Sequence, residues 1–168
     1  MIFSLILAAA ITSCPVAEAV YQVRHQPDVT AGFRNVPASQ DWPSGLALEV
    51  HVKPSGRSYW FLPWQGGTDQ RTNMAWVREA SSPIQYQDIR RDLQVIITDA
   101  EYNVLADVPK AGGRAPGHFL MPDLGAMAWH STTGLNRDTI ARRFFDLVAC
   151  RKVGAETPVP RIEFPPVP

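Results

Sequence analysis

The chain has 168 residues, 16 of them basic and 16 acidic, for a formal net charge of zero. This length suits one domain with its own hydrophobic core, and the 45% hydrophobic content is ordinary for a globular chain. Without net positive charge or a basic face, nucleic acid is not an expected partner, and nothing in the overall charge draws the chain to an anionic membrane.

The N-terminus opens with the apolar run MIFSLILAAAI, followed by ITSCPVAEA. A short apolar run followed by a small-x-small site is the pattern of a secretory signal peptide. Ala17-Glu18-Ala19 supplies that site, so residues 1–19 read as a signal peptide and Val20 as the first mature residue, although no Lys or Arg precedes the run. The run is shorter than the roughly 20 apolar residues that span a bilayer. Ile11-Thr12-Ser13-Cys14 resembles the lipobox of bacterial lipoproteins, with Ile and Ser where that family usually has Leu and Ala or Gly. The resemblance implies a lipidated Cys14 as first residue and membrane attachment through that lipid alone. A retained N-terminus is the third reading. Either form of export implies a periplasmic or secreted protein of a bacterial envelope, or a lipoprotein anchored there.

The two cysteines follow from this choice. Cleavage after Ala19 leaves Cys150 alone, as a buried small hydrophobe or a thiol free for intermolecular pairing. Retention of the N-terminus permits a Cys14–Cys150 bridge.

Residues 20–45 carry prolines at 27, 37 and 43 and read as an extended lead-in with one short strand near Val20–Arg24. In LALEVHVK, Leu46, Leu48, Val50 and Val52 alternate with other residues, the two-residue period of a strand with one buried face. Pro54-Ser55-Gly56 is turn chemistry, and RSYWFL, residues 57–62, completes a hairpin. Residues 73–79, 92–98 and 118–121 are further strand candidates, with 102–108 a return strand after a turn at 99–101. Asn136, Asp138 and the spacing of Ile140, Phe144, Leu147 and Val148 predict a helix over 137–150, with a strand through FFDLVAC as the competing reading. Residues 153–168 form a Pro-rich tail that continues neither a helix nor a central strand. Together these predict a mainly β globular domain over 46–152, an antiparallel β-sandwich or open barrel with one C-terminal α-helix.

The stretch YWFLPWQGG concentrates four aromatic rings ahead of two glycines. In a strand, Tyr59 and Phe61 share one face and Trp60 and Leu62 the other; Pro63 is expected to end regular pairing and leave Trp64 in a loop. A surface tryptophan offers a flat apolar face with a donor edge. Trp60 and Trp64, with Asp69 and Arg71 nearby, are therefore the candidate ligand-binding residues, set against the reading that the rings are core. His25, His51, His118 and His130 have no i, i+4 pairing, so no metal is expected, and no cofactor fingerprint is present. No G-x-S-x-G elbow occurs. Asp99 with Glu101, or Asp88 with Asp92, are the carboxylate pairs a glycosidase mechanism would need, and they read equally as solvated turn residues.

The expected function is a non-catalytic binding module of the envelope, with a glycan, a peptide or a partner protein as ligand. The alternatives are a small hydrolase using carboxylates and a structural or assembly lipoprotein docking through its tail or its helix. Catalytic residues and oligomeric state are not legible.

Overall fold

The computed structural model describes residues 13–38, 40, 42–68, 71–77, 90–132 and 137–151, with the backbone alone for 64–68 and 90–92. Eight strands run in order: β1 (Ala19–Val23), β2 (Gln26–Asn35), β3 (Leu46–Val52), β4 (Arg57–Thr68), β5 (Arg71–Val77), β6 (Arg90–Thr98), β7 (His118–Leu120) and β8 (Phe145–Cys150). Each pairs antiparallel with its neighbour in sequence, and β8 returns to β1 with Ala19 opposite Cys150 and Val23 opposite Phe145. The sheet is thus a closed barrel in sequential order. Closure removes the free edges that an open sheet exposes.

The mainly β, antiparallel expectation holds, and the barrel is closed; a two-sheet sandwich is not what forms. Residues 20–45 contribute both β1 and β2. The helix expected over 137–150 does not form there. Residues 145–150 are strand β8, and 137–144 run irregularly into it. Phe145 faces the core while Phe144 packs on the outer wall, an alternation with the two-residue period of a strand. The helix of the described residues is α1 (Leu124–Ser131), which buries Leu124 and Ala128 one turn apart. The return strand expected over 102–108 is reduced to one bridge, Thr98 to Val104. Pro63 does not end β4: pairing continues through Pro63 opposite Met74, and the register shifts between Trp64 and Gly67. The tail from 153 and the apolar run before residue 13 lie outside the described residues.

Side chains fill the barrel. Tyr21, Phe33, Phe61, Phe119 and Phe145 are all buried in one cluster. Tyr21 meets Phe119 edge-on at 5.1 Å, and Phe119 stacks on Phe145 at 4.6 Å. An eight-stranded barrel is just wide enough for such a filling. Leu124, Ala128 and Ile140 join the same cluster from α1 and from the segment after it.

A second apolar cluster lies on the outer face of β3–β5, where Trp60, Leu62, Ala47, Ala75 and Val77 are buried together with Trp42. It explains why β3 is buried on both faces. Tyr59 and Phe61 point inward, so the rings of YWF serve two cores at once.

Antiparallel order gives the barrel two ends. One end gathers the start of β1, the end of β6, the start of β7 and the end of β8. There Cys14 and Cys150 form a disulfide across 136 residues. The Ala115 N–H donates to the Cys14 carbonyl at 2.8 Å and the Val16 N–H to the Gly113 carbonyl at 3.0 Å. These contacts tie residues 99–117 to the N-terminal segment.

Candidate functional site

The long connection from β6 to β7 builds the site. It begins with a tight turn. Asp99 Oδ1 accepts the N–H groups of Glu101 and Asn103 at 2.9 Å each, and Oδ2 accepts the Asn103 amide at 2.9 Å. This is the local bonding that favours Asp and Asn in turns. The Asn103 amide foremost, with the two backbone donors, holds the Asp99 carboxyl below its ordinary range. Tyr102 takes a left-handed φ of 65° within the turn, and the chain returns with the Leu105 N–H donating to the Ile97 carbonyl at 2.8 Å.

Tyr102 lands flat on the imidazole of His118, ring centroids 4.0 Å apart and nearly parallel. Phe144 meets both rings edge-on. His118 Nδ1 lies 2.7 Å from Asp146 Oδ1. Arg24 clamps the same carboxylate, Nε to Oδ2 at 2.8 Å and a terminal nitrogen to Oδ1 at 2.7 Å, and also donates to the Tyr102 hydroxyl. Burial pushes the Asp146 carboxyl up, but the bonds and charges of Arg24 and His118 outweigh it and hold the group below its ordinary range. An ionised carboxylate only accepts, so His118 Nδ1 carries a proton. Nε2 is turned toward the Ala100 carbonyl, 3.4 Å away.

Beside this cluster an open cleft of about 610 Å³ lies between residues 99–117 and the wall of β6, β7 and β8. Ile97, Leu105, Pro109, Ala115, Pro116 and Leu147 give it an apolar lining, and Asp99, Glu101, Asp107, Arg114 and His118 supply its polar groups. Gly117 lets the connection lie against the wall: a Cβ there would stand 2.6 Å from the Ala100 nitrogen. Its N–H donates to the Thr98 carbonyl and its carbonyl accepts from Leu147, both at 3.0 Å. The Tyr21 hydroxyl donates to the Pro116 carbonyl at 2.9 Å from inside the barrel, and burial pushes that phenol far up from its ordinary value.

The residues singled out from sequence are placed elsewhere. Trp60 is 3% exposed, in the same buried cluster as Trp42. Arg71 is exposed and donates to the Gln94 side chain at 3.3 Å. The side chains of Trp64, Asp69, Asp88 and Asp92 lie outside the description. Asp99 lines the cleft with Glu101, but its two oxygens already accept three turn hydrogen bonds. Cys14 and Cys150 are joined, so neither is a free thiol; a lipid thioether at Cys14 would need the same sulfur atom. The cluster of Arg24, Tyr102, His118 and Asp146 was not legible as a site, because its members come from four separated segments. The one local signal was the turn expected at 99–101, which forms and is closed by the bonds that Asp99 accepts from Glu101 and Asn103. Among the described residues, no group of three or more His, Cys, Asp or Glu side chains is placed to hold a metal, and no helix is long and apolar enough to cross a membrane.

Two further polar networks serve the barrel. The Tyr59 hydroxyl donates to Asp138 Oδ2 at 2.6 Å, and Arg57 lies 3.2 Å from the same oxygen. Burial, then the bond to Asp138, pushes the Tyr59 phenol up to about 12. This pins the segment after α1 to the barrel. On the outer wall Arg34 pairs with Glu49 at 3.0 Å, Ser58 donates to Glu49 at 2.8 Å, and His51 Nδ1 lies 3.2 Å from the Ser58 hydroxyl.

The fold and site define a small, disulfide-closed, antiparallel β-barrel with a filled interior and a cleft on its outer wall. Compared with protein-family models, with curated proteins and with solved structures, the chain matches none.

Proposed function

We propose that this barrel is an exported, non-catalytic binding module of a bacterial envelope, and that it takes a peptide segment of a partner protein in the cleft beside residues 99–117. The cleft is the observation that carries the reading. Its volume of about 610 Å³ falls within the roughly 300–1,000 Å³ of ligand sites. It lies outside a barrel whose interior is packed with its own side chains. Among the described residues its lining holds no Phe, Tyr or Trp, the flat platform that suits a sugar ring. Aliphatic and prolyl walls favour peptide side chains over a glycan.

The Cys14–Cys150 disulfide supports an oxidising compartment, periplasmic or secreted. On this reading the mature chain keeps Cys14 as a disulfide partner, and any leader ends before it rather than at Ala19. A carboxylate-pair hydrolase has less support, because Asp99 is committed to its turn.

The test is fluorescence anisotropy of the intact, oxidised protein with a labelled pool of leucine-rich pentapeptides. Saturable binding that is lost in Ala115→Trp, or in Leu105→Trp should the first variant not fold, supports the reading. Binding that survives both variants, or no binding by any peptide, overturns it.

A further inference from the structure

We infer that the cleft selects a basic side chain, lysine or arginine, set in an apolar stretch of the bound peptide. This inference rests on the reading of the cleft as a ligand site and names what that site recognises. Among the described residues the lining carries three carboxylates, Asp99, Glu101 and Asp107, against one guanidinium, Arg114, and the imidazole of His118. These groups are not equivalent. Asp99 spends its lone pairs on the turn, and His118 is engaged by Asp146. The carboxylates of Glu101 and Asp107 make no hydrogen bond or ion pair among the described residues; Glu101 bonds Asp99 through its backbone N–H alone.

Two unpartnered carboxylates therefore stand at the rim of an apolar cleft. Low-dielectric walls focus the field of such charges and raise the local concentration of a cation. Lysine and arginine match this surface in both parts: an apolar stem to lie along Leu105, Pro109 and Leu147, and a charged head to reach Glu101 or Asp107. A glutamate in the same place would meet the like charges of Glu101 and Asp107, with Arg114 the one guanidinium of the described lining to offset them. Net charge over the whole chain is zero, so the preference is a property of this rim and not of the protein at large.

The test uses four labelled pentapeptides, Leu-Leu-X-Leu-Leu with X as Lys, Arg, Gln or Glu, titrated against the intact oxidised protein at low and at physiological salt. The Lys and Arg peptides are expected to bind about tenfold more tightly than the Glu peptide at low salt, with the gap narrowing as salt rises. The double variant Glu101→Gln, Asp107→Asn is expected to keep the wild-type unfolding midpoint, while the preference for Lys and Arg over Glu disappears. Equal binding of all four peptides, or tighter binding of the Glu peptide, overturns cation selection; if that binding is still lost in Ala115→Trp or Leu105→Trp, the cleft itself stands as the ligand site. Binding by none of the four overturns both.

Discussion

His118 Nδ1 sits 2.7 Å from Asp146 Oδ1, and that contact joins β7 to β8 across the outer wall of the barrel. It is also where the long connection is held down. Arg24 fixes the carboxylate from the end of β1, and Tyr102 stacks on the imidazole from the turn after β6. Arg24 and His118 bond the carboxylate directly and Tyr102 rests on both, so removing its charge weakens the hold on all three. Asp146→Asn is expected to lower stability by about 1–3 kcal/mol, a range set by hydrogen bonds to a charged group that is partly open to solvent. The same variant is expected to speed amide exchange at Leu105, whose N–H closes the turn onto Ile97. Hydrogen exchange followed residue by residue checks it, and an unchanged rate at Leu105 would mean that Asp146 does not hold the connection.

Acid stability follows from two carboxyls. Asp146 and Asp138 both titrate below their ordinary range: burial pushes each up, but Arg24 and His118 outweigh it at Asp146, and Tyr59, Ser55 and Arg57 outweigh it at Asp138. A depressed carboxyl contributes stability that is fully present above its unfolded value, about 3.9, and is lost as pH falls through the lower folded value. The unfolding midpoint is therefore expected to be insensitive to these two groups from neutrality down to about pH 5 and to fall steeply below about pH 4. Asp146→Asn and Asp138→Asn should each make that acid limb shallower. Thermal unfolding across this range reads the effect, and acid limbs as steep as the wild type's in both variants would contradict it.

The disulfide closes the barrel at the seam between its first and last strands. Joining residues 136 apart restricts the unfolded chain strongly, and losing a native bridge of this kind typically costs about 2–5 kcal/mol. Cys150→Ser is expected to lower the unfolding midpoint by a matching amount, and reductant should do the same to the wild type. A midpoint indifferent to both would show that the seam holds without the bridge.

Trp42 and Trp60 are both buried in the apolar cluster on the outer face of β3–β5. Trp42→Ala is expected to cost about 3–5 kcal/mol, as for other large-to-small changes of buried aromatics, and to open the Trp60 indole to solvent. Indole N–H exchange measured by NMR would show the opening. Trp60 exchange as slow as in the wild type would mean that other residues shield it.

The parts of the fold legible in the sequence are those whose pattern is local. The alternation of Leu46, Leu48, Val50 and Val52 marks β3, and Pro54-Ser55-Gly56 marks its turn. The second strand of the expected lead-in was hidden by Pro27 and by small inward residues: β2 faces the core with Val29, Ala31 and Phe33, of which Ala31 gives little hydrophobic signal. The helix expected over 137–150 rested on Ile140, Phe144, Leu147 and Val148 at helical spacing. That spacing arises because Ile140 and Phe145 enter the core, Phe144 packs on Tyr102 and His118, and Val148 is exposed. What decides β8 is pairing with β1, more than 120 residues away in sequence, which no window of sequence contains. The actual helix was missed because it carries Gly125 and only two buried residues. The site shares this cause: Arg24, Tyr102, His118 and Asp146 meet only once the barrel has closed.

The central claim is that a ligand enters the cleft beside residues 99–117. The most direct measurement is a map of amide chemical-shift changes on the isotope-labelled, oxidised protein titrated with Leu-Leu-Lys-Leu-Leu. The account predicts saturable changes centred on Ile97, Leu105, Ala115, His118 and Leu147, with β3 and β4, which contribute none of the described lining, unmoved. Changes centred instead on Arg71 and Gln94, beside the loop after β4, or no changes at saturating peptide, would contradict it.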